Sequence, residues 1–150
     1  MESDVPMFCF QCEQTAGGRA CTGKAGVCGK TAEIAGLQDR LTGALVSLAS
    51  SQGCEGIGPE GDIAVMRALF STLTNVDFDA EDIRSQTDRI ISLAGGAEPY
   101  DMSAVWDAPD DVRSLKSLIL FGIRGMAAYA YHAAVLGRVD AGVNATIYKG

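Results

Sequence analysis

The stretch Ile34-Ala35-Gly36-Leu37-Gln38-Asp39-Arg40-Leu41-Thr42-Gly43-Ala44-Leu45-Val46-Ser47-Leu48 places Ile34, Leu37, Leu41, Leu45 and Leu48 three and four residues apart. Apolar residues at that spacing form one stripe along a 3.6-residue helix, so residues 31–50 are predicted to be helical. The rhythm recurs downstream. Pro59 suits a helix start, and Ile63, Met66, Leu69, Phe70 and Leu73 carry the pattern on to Asn75. Asp79 has the chemistry of an N-cap, with Glu81 and Asp82 complementing the helix dipole. Ile83, Ile90, Ile91 and Ala94 follow, and Gly95-Gly96 stops that helix. Three helices joined by short loops predict a three-helix bundle over residues 31–96.

Residues 97–108 hold Pro99, a lone Trp106 and no helical period, which predicts a linker. Trp106 is expected as a packing anchor rather than a functional aromatic. A long helix is predicted from Pro109, with Asp110 and Asp111 in its first turn and Gly137 just past its end. Gly122 and Gly125, with Ala127, Ala128, Ala130, Ala133 and Ala134, give it a small-residue face expected to pack closely. Val139 to Gly150 begins another amphipathic segment, with Val143 and Ile147 four apart. The fold class is therefore all-α. A cysteine loop over 1–30 and the bundle over 31–96 come first, then the linker, then a long helix and the start of the next over 109–150, opening a second bundle.

Cys9-Phe10-Gln11-Cys12, Cys21 and Cys28 carry the chemistry, in the spacing C-x2-C-x8-C-x6-C. Four thiols this close are enough to hold one metal centre, and zinc and iron–sulfur clusters both favour thiolates. Disulfides rank last: the chain has five cysteines, an odd number, and Met1-Glu2-Ser3-Asp4-Val5-Pro6 shows no basic or apolar leader segment. Zinc ribbons usually show two separated C-x2-C pairs, and one is present here. One close pair plus two spread cysteines is a common iron–sulfur pattern, so the cluster ranks first and zinc second. Gly17, Gly18, Gly23, Gly26 and Gly29 allow the backbone to approach a bulky inorganic core. Arg19, Lys24 and Lys30 balance Glu2, Asp4 and Glu13, so residues 1–30 are neutral while the remaining residues hold the whole net charge of −7. A neutral segment tolerates an anionic cluster better than the acidic remainder would.

Outside that motif the sequence offers one further cysteine, Cys54, and one histidine, His132. Cys54, in Gln52-Gly53-Cys54-Glu55-Gly56, is expected as a spare thiol, and His132 as a packed or partly exposed side chain rather than a ligand. The acidic balance and the lack of a basic stripe argue against a nucleic-acid partner. No apolar run of transmembrane length is expected, and Arg113, Lys116, Arg124 and Arg138 interrupt the small-residue face of the long helix, which argues against a membrane-type interface there; no membrane partner is expected.

Met7-Phe8-Cys9-Phe10-Gln11-Cys12-Glu13-Gln14-Thr15 and Gly26-Val27-Cys28-Gly29-Lys30-Thr31 closely resemble the N-terminus of the hybrid cluster proteins, also called prismane proteins or hydroxylamine reductases. The resemblance continues through Leu69-Phe70-Ser71-Thr72-Leu73-Thr74-Asn75, Asp111-Val112-Arg113-Ser114-Leu115, Gly122-Ile123-Arg124-Gly125-Met126 and His132-Ala133-Ala134-Val135-Leu136-Gly137. It implies that Cys9, Cys12, Cys21 and Cys28 bind a [4Fe–4S] cluster, with [2Fe–2S] as the alternative, since the gap before Cys28 is one residue longer than the cubane subgroup's. It also implies a second, hybrid cluster held by residues well downstream of those present here. The implied function is a cytoplasmic iron–sulfur oxidoreductase of the hydroxylamine reductase type, with this chain supplying the electron-relay cluster and not the hybrid-cluster active site. An electron-donor protein is the implied partner, and a small nitrogen-oxide substrate is implied only with the downstream domains. The alternative is a non-catalytic iron–sulfur or zinc-binding helical module for electron transfer or redox sensing. On the family's pattern the chain is expected to be incomplete as an enzyme.

Overall fold

A computed structural model describes residues 7–9, 11–12, 20–53 and 56–150. Cys54 and the glycines at 17 and 18 lie outside the described residues. Six helices form among the described residues: α1 (Ala32–Gln52), α2 (Pro59–Ser71), α3 (Ala80–Leu93), α4 (Ser103–Trp106), α5 (Asp110–Val135) and α6 (Ala141–Lys149). Among the described residues, extended pairing is limited to two isolated bridges in the cysteine loop, so the fold is all-α.

The helix ends follow from side-chain and glycine chemistry. Thr31 caps α1 by accepting from the Ile34 amide, and Asp79 caps α3 by accepting from the amides of Glu81 and Asp82. Asp140 caps α6 through the Val143 amide. At the end of α3 the Gly95 amide donates to Ser92 and the Gly96 amide to Ile91. The Gly137 and Arg138 amides repeat the arrangement after α5, donating to Ala134 and Ala133. Both ends need a left-handed residue, which Gly95 and Gly137 supply at φ 69° and 75°.

Three sequence expectations change. The α2 helix stops at Ser71 rather than running on to Asn75. Thr72 turns its hydroxyl back onto the Leu69 carbonyl, and Asn75 takes φ 64°, so residues 72–76 form a turn. The linker contains a one-turn helix, α4, which seats Trp106 against Met102, Val105, Phe8 and Leu120. Gly122 and Gly125 are not close-packing positions, since a methyl group at either would meet open space. A glycine that does serve a close backbone approach is Gly43, whose missing side chain lets the backbone of Tyr100 cross α1 and donate to the Gly43 carbonyl at 3.0 Å.

The core lies mainly between α1 and α3 and between α2 and α5. Leu41, Leu48, Ile83 and Ile90 are fully enclosed, each contributing about 2 kcal/mol by removal from water. Ile123 and Ala127 of α5 and Ile147 and Tyr148 of α6 join the same apolar cluster, so the core is continuous across residues 97–108. The opposite face of α5 is bare, with Leu115 63%, Leu118 68% and Tyr129 83% exposed. By length and composition alone α5 would suffice to cross a membrane, with mean hydropathy 1.3 over its best window. That corrects the expectation of no such run: the charges along the helix are spaced widely enough to leave an apolar window. Here α5 lies along α2 and carries Arg124 into the protein core.

Candidate metal centre

The cysteine loop closes on itself before α1 begins. Cys9 and Cys21 pair as antiparallel residues, each amide donating to the other's carbonyl at 3.1 and 2.9 Å. Ala25 bridges Thr31, and the Gly26 amide donates to the Lys30 carbonyl at 2.7 Å. Gly29, at φ 88°, makes the turn between them that only glycine adopts readily. Cys28 therefore folds back beside the start of α1. Cys9, Cys12, Cys21 and Cys28 line one small pocket together with Gln11, Gly26, Val27, Lys30 and Thr74. All four are free thiols. Among the described residues, no three Cys, His, Asp or Glu side chains converge as a ready-made site for a single ion.

Charge is buried around this pocket. Lys30 is 1% exposed, and its ammonium donates to Gln11 Oε1 at 3.2 Å and Gln38 Oε1 at 2.5 Å. Gln38 is itself fully enclosed and donates from Nε2 to the Asp77 carbonyl at 2.9 Å, which fixes the amide that receives Lys30. Among the described residues no carboxylate forms an ion pair with Lys30. An ammonium buried without a counter-charge is costly. Deeper in, Arg124 donates from Nε to Thr72 Oγ1 at 2.8 Å and from Nη2 to Thr42 Oγ1 at 2.9 Å. Burial pushes the guanidinium down to about 10, opposed by the charges of Asp39 and Cys9, so it stays protonated at neutral pH. Asp39 accepts from Trp106 Nε1 at 3.1 Å, and burial pushes its carboxyl up to about 6 against the pull of Trp106 and Arg124. Burial likewise pushes the Cys9 thiol up, with Lys30 as the main opposing influence.

The residues present fit a four-thiolate cluster. Its negative charge would add to that of Asp39, which already acts on Lys30 from a distance, in offsetting the buried ammonium, and ligation deprotonates the thiols outright. A second observation agrees: Thr74 lines the same pocket, and its buried Oγ1 has no hydrogen-bond partner among the described residues. The expected ligands Cys9, Cys12, Cys21 and Cys28 all line this one pocket, without converging on a single ion position. His132 is exposed, hydrogen-bonded through Nδ1 to the Ala128 carbonyl and edge-on to Phe70 at 5.1 Å, away from the cysteines. Trp106 is a packing anchor and also holds Asp39. Gln38, Asp39, Thr74 and Arg124 are not apparent as site residues from spacing. One signal was available: Gln38 sits four residues from Ile34 on the apolar face of α1, where a polar side chain requires buried partners.

Comparison with known proteins gives one family model, described as Prismane/CO dehydrogenase family, matching residues 7–150. Among similar curated proteins, the hydroxylamine reductase of Solidesulfovibrio magneticus is 40% identical over 96% of this chain and 33% of its own length. Those of Methanocella arvoryzae and Desulfitobacterium hafniense are 39% and 38% identical, over 96% and 97% of this chain. The chain spans about a third of the length of the curated relatives it matches. The first of these alignments runs over 177 residues against a chain of 150, so that relative carries residues that this chain lacks.

Proposed function

The chain belongs to the Prismane/CO dehydrogenase family, and on that premise we propose that it is the cluster-bearing helical region of an iron–sulfur oxidoreductase of the hydroxylamine reductase type. Cys9, Cys12, Cys21 and Cys28 would hold a [4Fe–4S] cluster, with [2Fe–2S] as the alternative, and the cluster supplies one-electron storage and relay when bound. The observation that carries this reading is the shared pocket of four thiols beside a buried lysine that, among the described residues, forms no ion pair with a carboxylate. Lys30 offsets the anionic charge, Gln11 and Gln38 hold its ammonium in place, and Met7, Ala32 and Ala35 pack against Cys9 and Cys21 on the apolar side of the site. Reduction of a small nitrogen species takes place outside these residues. Cys54 and His132 are the only further cysteine and histidine in the sequence, too few for a second cluster of the hybrid kind. An electron-donor protein serves the cluster, in a cytoplasmic setting where thiols stay reduced.

The test is an anaerobic titration of the chain with reduced viologen, followed by hydroxylamine. Reversible uptake of electrons with no hydroxylamine turnover beyond that of the cluster alone is the expected result. No electron uptake would overturn the relay assignment. Saturable turnover, lost in a variant lacking the four cysteines, would overturn the separation of relay from active site.

A further inference from the structure

The turn that ends α2 holds a hydroxyl, that of Thr74, with no hydrogen-bond partner among the described residues. Other buried threonines on the helices are satisfied locally: Thr42, Thr72 and Thr87 each donate to a carbonyl three or four residues back, at 2.7 to 2.8 Å. Thr74 does not; its Oγ1 is buried and unpartnered. An enclosed hydroxyl without a partner costs about 1–3 kcal/mol. Its place is nonetheless fixed. On one side Thr72 is tied to the Leu69 carbonyl and to Arg124, and on the other Asn75 takes φ 64°. Along the pocket wall the polar ends of Gln11 and Lys30 are already engaged with one another. Thr74 shares this pocket with Cys9, Cys12, Cys21 and Cys28, whose sulfurs are the other hydrogen-bonding side-chain groups of its described lining.

We propose that the Thr74 hydroxyl is an outer hydrogen-bond donor to a sulfur of the cluster in this pocket, and that it raises the reduction potential of that cluster. The inference rests on the iron–sulfur reading above. Hydrogen bonds to cluster sulfurs are one of the determinants of potential, and groups beyond the ligands tune a metal centre in the same way. On one-electron reduction the sulfurs gain negative charge, so a donated hydrogen bond strengthens. No proton is transferred and no bond is broken. Thr74 is a positioning and tuning residue rather than a ligand.

The experiment compares the wild-type chain with Thr74→Val, which keeps the shape and removes the hydroxyl, and with Thr74→Ser, which keeps the hydroxyl. Each is purified anaerobically, analysed for iron and acid-labile sulfide, and titrated potentiometrically with the reduced cluster followed by electron paramagnetic resonance. Thr74→Val should retain the wild-type iron and sulfide while its reduction equilibrium shifts tenfold toward the oxidised form, a fall of about 59 mV for a one-electron couple. Thr74→Ser should stay near wild type. If the valine variant loses the cluster and the serine variant keeps it, the hydroxyl contact is again supported. An unmoved potential in Thr74→Val, or an equal fall or loss in Thr74→Ser, would overturn the proposal. Wild-type protein lacking iron and sulfide would instead overturn the reading of the pocket on which the proposal depends.

Discussion

Around the cysteine pocket the protein buries charge, whereas along the outer face of α5 it exposes apolar surface. Lys30 and Arg124 are 1% and 3% exposed, while Leu118 is 68% exposed. Both reverse the usual distribution of side chains, yet they differ in how they are held. Each buried cation is tied to two named acceptors, Lys30 to Gln11 and Gln38, and Arg124 to Thr42 and Thr72. The apolar residues on the outer face of α5 lie outside the core cluster, which takes Ile123 and Ala127 from the other side of the same helix. The pocket is a built site whose energetics depend on what fills it. The α5 face adds nothing to the stability of the helices described here.

The largest effect should come from breaking the pocket. Cys21→Ser, and equally serine at Cys9, Cys12 or Cys28, should reduce bound iron and sulfide to near zero, because each thiolate fills one coordination position. Cys54→Ser should leave both at the wild-type level; the opposite pattern in metal analysis would contradict the ligand set.

Arg124→Met should cost about 3 kcal/mol in urea denaturation, because it removes a buried charge hydrogen-bonded to two elements and leaves Asp39 less compensated. A neutral result would mean that the guanidinium does not organise this side of the site.

A somewhat smaller effect belongs to pH. The Asp39 carboxyl stands at about 6 in the folded chain against 3.8 in the absence of burial. Between those values the folded state binds the proton more tightly than the unfolded state. The contribution of Asp39 to stability should therefore be greatest below about pH 4, fall by at most about 3 kcal/mol as pH rises through about 6, and then level off. Asp39→Asn should remove that part of the slope. Denaturation curves of the two proteins that run parallel from pH 4 to 7 would refute the assignment.

The smallest effect is expected on the outer face of α5. Leu118→Gln should change stability by less than about 0.5 kcal/mol, while Ile123→Ala on the inner face should cost about 2–4 kcal/mol. Comparable losses from the two would show that the outer face is packed after all.

Much of this was legible locally. The leucine spacing before Leu48 marks α1, and Asp79, Gly95 and Gly137 mark helix ends because caps depend on neighbours a few residues away. The four cysteines were legible for the same reason. What could not be read depends on partners far along the chain. The stop of α2 involves Thr72, which Arg124 engages from α5, and Gly43 is explained only by the crossing of Tyr100. Lys30 looks like an ordinary surface lysine until Gln38 and Gln11 enclose it, and Thr74 looks like part of a helix until the turn at 72–76 brings it to the cysteines. The apolar window in α5 is masked in the sequence by scattered cations whose spacing leaves a long apolar stretch between them.

The central claim is that the buried cation and the four thiols enclose an iron–sulfur cluster. Anaerobic purification of the chain, followed by iron, zinc and acid-labile sulfide analysis on the same sample, tests it most directly. The account predicts iron and sulfide in about equal, stoichiometric amounts with little zinc. Stoichiometric zinc without sulfide would contradict it.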